Sequence, residues 1–220
     1  MRITLVIIGI CIAVFALQIL IGNIFTNIFV LNPKLAFSGY IWQFVTYMFF
    51  HADGLHLFLN MIGLFIFGFT VENTVGRKRY IGLFLISGII SSLFFLLIDF
   101  ITVPNYTGSA NFINGSLLGA SGAVFGVMAA YGLLYPKNWI IMFPGIPMPA
   151  IVAVFFFGAM EIFYGVTGLQ GNIANWGHLG GLISGALLTY FWKRRHRKPR
   201  IILDEFDKKG DRRDWEFVWE

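Results

Sequence analysis

Ser121 stands between Gly119 and Gly122 at the head of a long apolar stretch, GASGAVFGVMAAYGLLY (119–135). A serine hydroxyl is a weak nucleophile until a positioned base accepts its proton, and histidine is the usual base. His178 is the only histidine within an apolar segment in the second half of the chain. These residue types predict acyl transfer, with Ser121 as the nucleophile and His178 as the general base and acid.

The sequence does not offer an obvious acidic third member for this pair. Between Ile101 and Leu203 the only carboxylate is Glu161, which we expect to lie well away from the start of the last apolar segment. The prediction is therefore a Ser–His dyad rather than a triad. Phe125 follows Ser121 by one helical turn, so we expect its ring to stack on His178.

Acyl transfer also needs donors directed at the oxyanion that develops in the transition state. His56 and Asn60 are four residues apart, so they share one face of a helix. The free N–H groups at the start of the helix around Gly119 and Gly122 can add to them. For His51, two predictions stay open, namely anchoring of a loop or handling of water near the site.

The elements that must position these residues are membrane helices. Only 12% of the residues are charged, about half the usual share of a soluble domain. A spanning helix needs about 20 mostly apolar residues. Six segments meet this requirement, at about 3–22, 55–72, 80–101, 118–135, 149–167 and 175–192. The fold class predicted is an all-α membrane protein, a compact bundle of six transmembrane helices.

Lys and Arg are confined to alternate connections between these segments, which predicts the orientation of the bundle. Basic residues precede the first segment and follow the second, fourth and sixth, whereas the opposite side carries only Lys34. Both termini are therefore expected in the cytoplasm. The polar starts of the second, fourth and sixth segments then meet on the extracytoplasmic side. Glycine pairs such as Gly181 and Gly185 should let the fourth and sixth helices pack closely.

The chain is predicted to divide into a bundle of residues 1–192 and a charged cytoplasmic tail of residues 193–220. The tail holds ten of the 16 basic and seven of the 11 acidic residues. A net charge of +5 can indicate nucleic-acid binding. Here the basic residues cluster at the ends of apolar segments, which membrane topology explains, so we expect the lipid bilayer and no nucleic acid as partner.

Taken together, these motifs resemble the rhomboid family of intramembrane serine proteases. The resemblance rests on His56-x-x-x-Asn60 with His51 upstream, Gly119-x-Ser121-Gly122, and His178-x-x-Gly181-x-x-x-Gly185. It covers about residues 1–192, and the motifs occur in the family's order.

The resemblance implies that His56, Asn60 and the Ser121 backbone N–H form the oxyanion hole. It implies cleavage of single-pass transmembrane substrates near the outer membrane face, without a metal ion or cofactor. Two positions depart from many relatives: Gln43 replaces an arginine after Trp42, and Phe125 replaces a tyrosine. Short loops and the lack of a targeting segment predict the bacterial plasma membrane.

Two other functions are compatible with a polar membrane bundle. A catalytically silent rhomboid-like protein would bind membrane clients without cutting them, and such a protein is expected to lack the serine or the histidine. A transporter or channel would place polar residues along a path through the membrane, whereas here they gather at one end. The strings HExxH and GxSxG, which mark zinc proteases and soluble serine hydrolases, do not occur.

Overall fold

A computed structural model of the protein describes residues 2–102, 116–142, 145–169 and 174–195. Within these ranges the chain is almost entirely helical, with one two-stranded hairpin. The elements in chain order are α1 (Ile3–Ile21), α2 (Asn23–Phe29), α3 (Pro33–Phe37), α4 (Gln43–Thr46), a 3₁₀ turn (Tyr47–Phe49), α5 (Gly54–Gly63), a π turn (Leu64–Gly68), α6 (Phe69–Val75), α7 (Arg77–Thr102), α8 (Ser121–Leu134), β1 (Trp139–Met142), β2 (Ile146–Pro149), α9 (Ala150–Thr167) and α10 (Ala174–Arg195).

All six predicted segments contain helix, and their observed ends lie within about three residues of the predicted ones. Four of them are long and apolar enough to cross a membrane, namely α1, the continuous α5–α6 segment, α7 and α9. The protein is therefore an all-α, multi-pass membrane protein. At 1.5 Å per residue, the 14 residues of α8 extend only about 21 Å, which is less than the roughly 30 Å of a hydrocarbon core.

The short α8 lies at the centre of the bundle because small residues line it. Most of its residues are buried, among them Gly122, Ala123 and Gly126. A methyl group on Gly122 or Gly126 would overlap Ser91 or Ser87 of α7. Small side chains on both helices thus allow α7 and α8 to approach closely, as is usual where membrane helices pack.

The connection from α1 to α5 is folded into short helices, which the sequence patterns did not predict. Gln43 is fully buried there, and both ends of its amide are bonded to the backbone. Its Oε1 accepts from the Asn32 N–H at 3.0 Å, and its Nε2 donates to the Ile28 carbonyl at 3.0 Å. Gln43 thus links two points of this connection through its side-chain amide.

Strands β1 and β2 form an antiparallel hairpin between α8 and α9, with Trp139 paired to Pro149 and Met142 to Ile146. The Ala150 N–H donates to the Asn138 carbonyl at 2.8 Å, so the start of α9 is fixed to the start of the hairpin. Alternation along a strand places neighbouring side chains on opposite faces. Accordingly Ile140 is buried, whereas Trp139 and Ile141 are exposed.

Glu72 closes the end of the bundle opposite Ser121. Its carboxylate accepts from the Ile3 and Thr4 N–H groups at 2.8 and 2.9 Å, and from the Thr4 hydroxyl at 2.7 Å. The first N–H groups of a helix have no partner within the helix, so the second membrane helix caps the first one. Residues 196–220, most of the predicted tail, lie outside the described residues, and α10 runs three residues past the predicted boundary to Arg195.

Candidate active site

Ser121 is the first residue of α8, and the segment before it is tied to the α1–α5 connection. Leu117 and Leu31 exchange two backbone hydrogen bonds of 2.9 and 3.0 Å, and the Gly119 N–H donates to the Tyr47 carbonyl at 3.1 Å. Gly119 has φ of +118°, a conformation that side-chain-bearing residues rarely adopt. The serine therefore has a fixed position at the start of a helix.

The Ser121 hydroxyl and the His178 imidazole are in hydrogen-bond contact. Ser121 Oγ lies 2.7 Å from His178 Nε2, the distance expected between a nucleophile and its base. The Phe125 ring lies on the imidazole, with centroids 4.8 Å apart and planes 5° from parallel. Stacking restricts rotation of the imidazole, so Nε2 stays directed at Ser121.

Two glycine pairs make this contact possible. A methyl group on Gly181 would overlap the Gly122 carbonyl oxygen, and one on Gly185 would overlap the Gly126 carbonyl oxygen. The backbones of α8 and α10 therefore meet about one and two turns beyond His178. This packing also assigns Gly122 to a buried helix contact, so only its backbone N–H remains for the predicted oxyanion role.

His56 is held at the start of α5 by local hydrogen bonds. Asp53 is the N-cap of this helix and accepts from the His56 N–H at 2.8 Å. The Ala52 N–H donates to His56 Nδ1 at 3.5 Å. Because Nδ1 is the acceptor, this bond favours the neutral tautomer with its proton on Nε2.

Gly119 allows His56 to lie close to the start of α8. A Cβ on Gly119 would lie 2.7 Å from His56 Nε2 and 3.7 Å from Ser121 Oγ, so any side chain there would overlap the imidazole. An oxyanion hole needs donors about 2.7–3.1 Å from the developing charge. The missing side chain thus lets the His56 Nε2–H approach the Ser121 hydroxyl, next to which such a charge would develop.

Asn60 is buried one turn below His56, and its Nδ2 donates to the His56 carbonyl at 2.9 Å. An amide nitrogen has two N–H groups, so one of them is used within α5. The second N–H group of the Asn60 amide is the one that the predicted oxyanion hole requires as a donor.

His51 is buried beside His56, with ring centroids 5.2 Å apart. The Gln18 amide accepts from its backbone N–H at 3.0 Å and donates to its carbonyl at 3.2 Å, so the backbone anchors the loop to α1. Neither ring nitrogen has a hydrogen-bond partner among the described residues. Burial, together with the nearby His56, lowers the pKa of His51 to about 4.

The prediction that Glu161 lies well away from His178 is wrong. Glu161 Oε1 is 3.1 Å from His178 Nδ1, on the side of the ring opposite Ser121. Glu161 lies six residues before the end of α9 and His178 four residues after the start of α10. In antiparallel neighbouring helices these positions have similar depths, about 9 and 6 Å. The similar depth of the two residues, counted from the end of α9 and from the start of α10, was therefore a sequence signal for this contact.

No group of three His, Cys, Asp or Glu side chains arranged to hold a metal ion occurs in the described ranges. The site consists of a hydroxyl, an imidazole, a carboxylate and a set of N–H donors. Such a set can activate a serine and stabilise an oxyanion.

Comparison with known proteins assigns the class to which this fold and site belong. The family model of the Rhomboid domain matches residues 38–195, which is most of the chain. The chain therefore belongs to the rhomboid family.

The relatives come from bacteria and from eukaryotes. The chain is 30% identical over 176 residues to the rhomboid protease AarA of Providencia stuartii, a match of 76% of this chain and 62% of that protein. It is 31% identical over 158 residues to the mitochondrial Rhomboid protein 1 of Saccharomyces cerevisiae, covering 69% and 42% of the two chains. With Rhomboid-like protease 1 of Toxoplasma gondii it shares 27% over 179 residues, covering 81% and 56%. The chain thus spans about half of the length of these relatives.

Proposed function

We propose that the protein is an intramembrane serine endopeptidase that hydrolyses peptide bonds in or near the transmembrane segments of other membrane proteins. The observation that carries this proposal is the 2.7 Å contact between Ser121 Oγ and His178 Nε2 inside a membrane bundle. Polar groups are costly within a bilayer and usually mark a functional site. Relatives named as proteases support the same activity.

In the first step, Ser121 Oγ attacks the carbonyl carbon of the scissile bond while its proton passes to His178 Nε2. The carbonyl π electrons move to the oxygen, which becomes the oxyanion. His178 then gives the Nε2 proton to the leaving nitrogen, the C–N bond breaks, and an acyl-enzyme remains. A water molecule, deprotonated by His178, attacks the ester and releases the second product with Ser121 restored.

The oxyanion would form next to Ser121, between His56 and the start of α8. The His56 Nε2–H, the second Asn60 N–H and the backbone N–H groups of Ser121 and Gly122 are its proposed donors, whereas the Gly119 N–H is already bonded to the Tyr47 carbonyl. Removing one such donor from a serine protease typically costs about 10²–10³ in kcat. His56→Phe should therefore weaken catalysis while Ser121 and His178 keep their contact.

Single-pass membrane proteins are the proposed substrates, entering the site past α9 from the lipid. Only 17% of the apolar window of α9 is buried, against 44% for α7, so α9 is held by fewer neighbours. Cross-linking α9 to α5 should block cleavage, and unchanged cleavage would contradict entry by this route. The glycine content of the loop 165–174 favours a cap over the site, and this loop lies partly outside the described residues.

The proposed location is the bacterial plasma membrane, with both termini in the cytoplasm and Ser121 toward the outside. The distribution of Lys and Arg supports this orientation. Single cysteines at the exposed positions Ser38 and Lys137 test it with a membrane-impermeant maleimide on intact spheroplasts. Ser38→Cys should react and Lys137→Cys should not, and the reverse result would invert the topology.

The activity is tested by labelling the purified protein with a fluorophosphonate probe, beside cleavage of a model transmembrane substrate in liposomes. The wild type should label and cleave, whereas Ser121→Ala and His178→Ala should do neither. Ser184→Ala is the matched control, because that hydroxyl donates to the Gly181 carbonyl of its own helix at 2.9 Å. Labelling that persists in Ser121→Ala would overturn the nucleophile assignment. A folded wild type that binds the substrate without labelling or cleaving it would indicate a client-binding protein.

A further inference from the structure

Glu161 is the one polar contact of His178 on the side of the imidazole that faces away from Ser121, within the described ranges. The Glu161 side chain is 12% exposed and that of His178 is 22% exposed, so the pair is largely shielded from solvent. Because Phe125 covers one ring face, the imidazole is held by three neighbours: a hydroxyl, an aromatic ring and a carboxylate.

An acceptor at this position assists the chemistry of the base. His178 can accept the serine proton at Nε2 only in the tautomer that carries its own proton on Nδ1. When Nε2 is protonated the ring becomes an imidazolium, and its new charge lies next to Glu161. A carboxylate at Nδ1 favours both the required tautomer and the charged ring.

We propose that Glu161 is a positioning residue that completes a Ser121–His178–Glu161 relay, an inference that rests on the proposed protease function. Glu161 does not touch the substrate. It acts through His178, by holding the Nδ1–H tautomer and by stabilising the imidazolium of each proton-transfer step. The proton of the imidazolium leaves from Nε2, and no proton passes to the carboxylate.

The contact differs from that of a well-aligned triad. Glu161 Oε1 lies 3.1 Å from Nδ1, but Nδ1 is not in the direction of a hydrogen bond, and Glu161 Oε2 is buried without a hydrogen-bond partner among the described residues. A carboxylate with spare acceptor capacity can tighten on the ring when the positive charge appears. We therefore expect loss of Glu161 to reduce kcat about 10- to 100-fold, below the roughly 10⁴-fold loss for an aligned, fully buried triad acid.

A purely structural link between α9 and α10 is the competing explanation, and three variants separate the two. Glu161→Gln removes the charge at constant shape, Glu161→Asp keeps it on a shorter side chain, and Glu72→Gln makes the same change at the end of the bundle opposite Ser121. Positioning predicts a lower kcat at unchanged KM for Glu161→Gln, partial recovery for Glu161→Asp, and an unchanged kcat per folded molecule for Glu72→Gln. A structural link predicts changes in thermal stability and KM instead.

The second measurement does not depend on activity. ¹⁵N NMR of histidine-labelled protein in detergent, with His178 assigned from the His178→Ala spectrum, reports which ring nitrogen carries the proton. The wild type should show the Nδ1–H tautomer at His178, and Glu161→Gln should shift this residue toward a tautomer mixture.

The two measurements keep the two proposals apart. If the wild type neither labels nor cleaves but His178 shows the Glu161-dependent tautomer, the protease function fails and the positioning role stands. If the wild type cleaves and Glu161→Gln retains kcat within twofold, or if Glu72→Gln loses as much kcat per folded molecule as Glu161→Gln, the positioning role is overturned and the dyad suffices.

Discussion

Two glutamates of the described residues, the buried Glu72 and the largely shielded Glu161, lie near opposite ends of the bundle and have opposite surroundings. Glu72 accepts three hydrogen bonds from the first turn of α1, all between 2.7 and 2.9 Å. Glu161 has one contact, at 3.1 Å from His178 Nδ1, and its other oxygen is buried without a hydrogen-bond partner in the described part of the chain.

The difference separates a carboxylate that stabilises the fold from one that can serve chemistry. A carboxylate that already accepts three hydrogen bonds, such as that of Glu72, stabilises the fold in the resting state. It has little hydrogen-bonding capacity left to respond to a new charge nearby. An unsaturated one costs stability, because burying an unpaired polar group is unfavourable. It can, however, respond when a neighbour becomes charged. Unfilled hydrogen-bonding capacity is thus a better guide to the site than burial alone.

The largest expected effect comes from replacing glutamate with glutamine at each end of the bundle, in one variant at Glu72 and in another at Glu161. Glu72→Gln should lower the free energy of unfolding by about 3 kcal/mol, because charge-assisted bonds are lost and an amide donor can face the α1 donors. Its kcat per folded molecule should stay unchanged. Glu161→Gln should show the reverse pattern, with a lower kcat and little change in the free energy of unfolding. Thermal unfolding in detergent, together with cleavage kinetics, checks both variants. Equal changes in stability and kcat in the two variants would contradict the distinction between a stabilising carboxylate and one that serves catalysis.

The approach of α8 and α10 can be broken without touching any polar group. Gly181→Ala should lower stability by about 2 kcal/mol through overpacking, because the new methyl group overlaps the Gly122 backbone. It should also separate Ser121 from His178 and reduce fluorophosphonate labelling.

Gly158→Ala is the matched control for that substitution, since its nearest neighbours would be Leu182 methyl carbons at 3.8 and 4.0 Å. It should label like the wild type. A similar loss of labelling in Gly181→Ala and Gly158→Ala would mean that labelling depends on glycine content rather than on the contact between α8 and α10.

Acidification should weaken the site end of the bundle through His51. Its pKa of about 4 in the folded protein lies below the roughly 6.5 of an unfolded chain. The unfolded state therefore binds more protons between these values, and stability falls as pH drops below about 6.5. From pH 7.5 to 5.5 the loss from His51 should be about 1 kcal/mol. A His51→Gln variant should show a flatter dependence of thermal midpoint on pH, and an identical slope would contradict a neutral, buried His51.

The smallest expected effect is that of Phe125→Tyr. The aromatic ring that stacks on His178 is kept, so stability should change by less than about 0.5 kcal/mol and kcat by less than about threefold. Phe125→Leu removes the stack and should cost more, about 1 kcal/mol of the interaction that orients the base. Fluorophosphonate labelling rates of the two variants measure this difference, and equal rates would argue against an orienting role.

Much of the fold could be predicted because hydropathy is a local property of the chain. All six predicted segments contain helix, and α9, predicted at 149–167, runs from Ala150 to Thr167. The short helices between Asn23 and Phe49 and the hairpin of Trp139–Pro149 were not predicted. Their residues are apolar but too few to span a membrane, so the hydropathy pattern assigns them to no element. Contacts made by Gln43 and Asn138 hold them in place.

The sequence by itself determined the membrane bundle, and it predicted that Ser121, His178, His56 and Asn60 lie at one end of it. Composition and spacing are enough for this, because a helix in lipid must be apolar and the few polar residues within it usually mark a functional site. The contact between Glu161 and His178 was decided only by the tertiary structure. Depth along each helix can be counted from the sequence, but the rotation of α9 against α10 depends on how their side chains pack, and no local pattern encodes that angle.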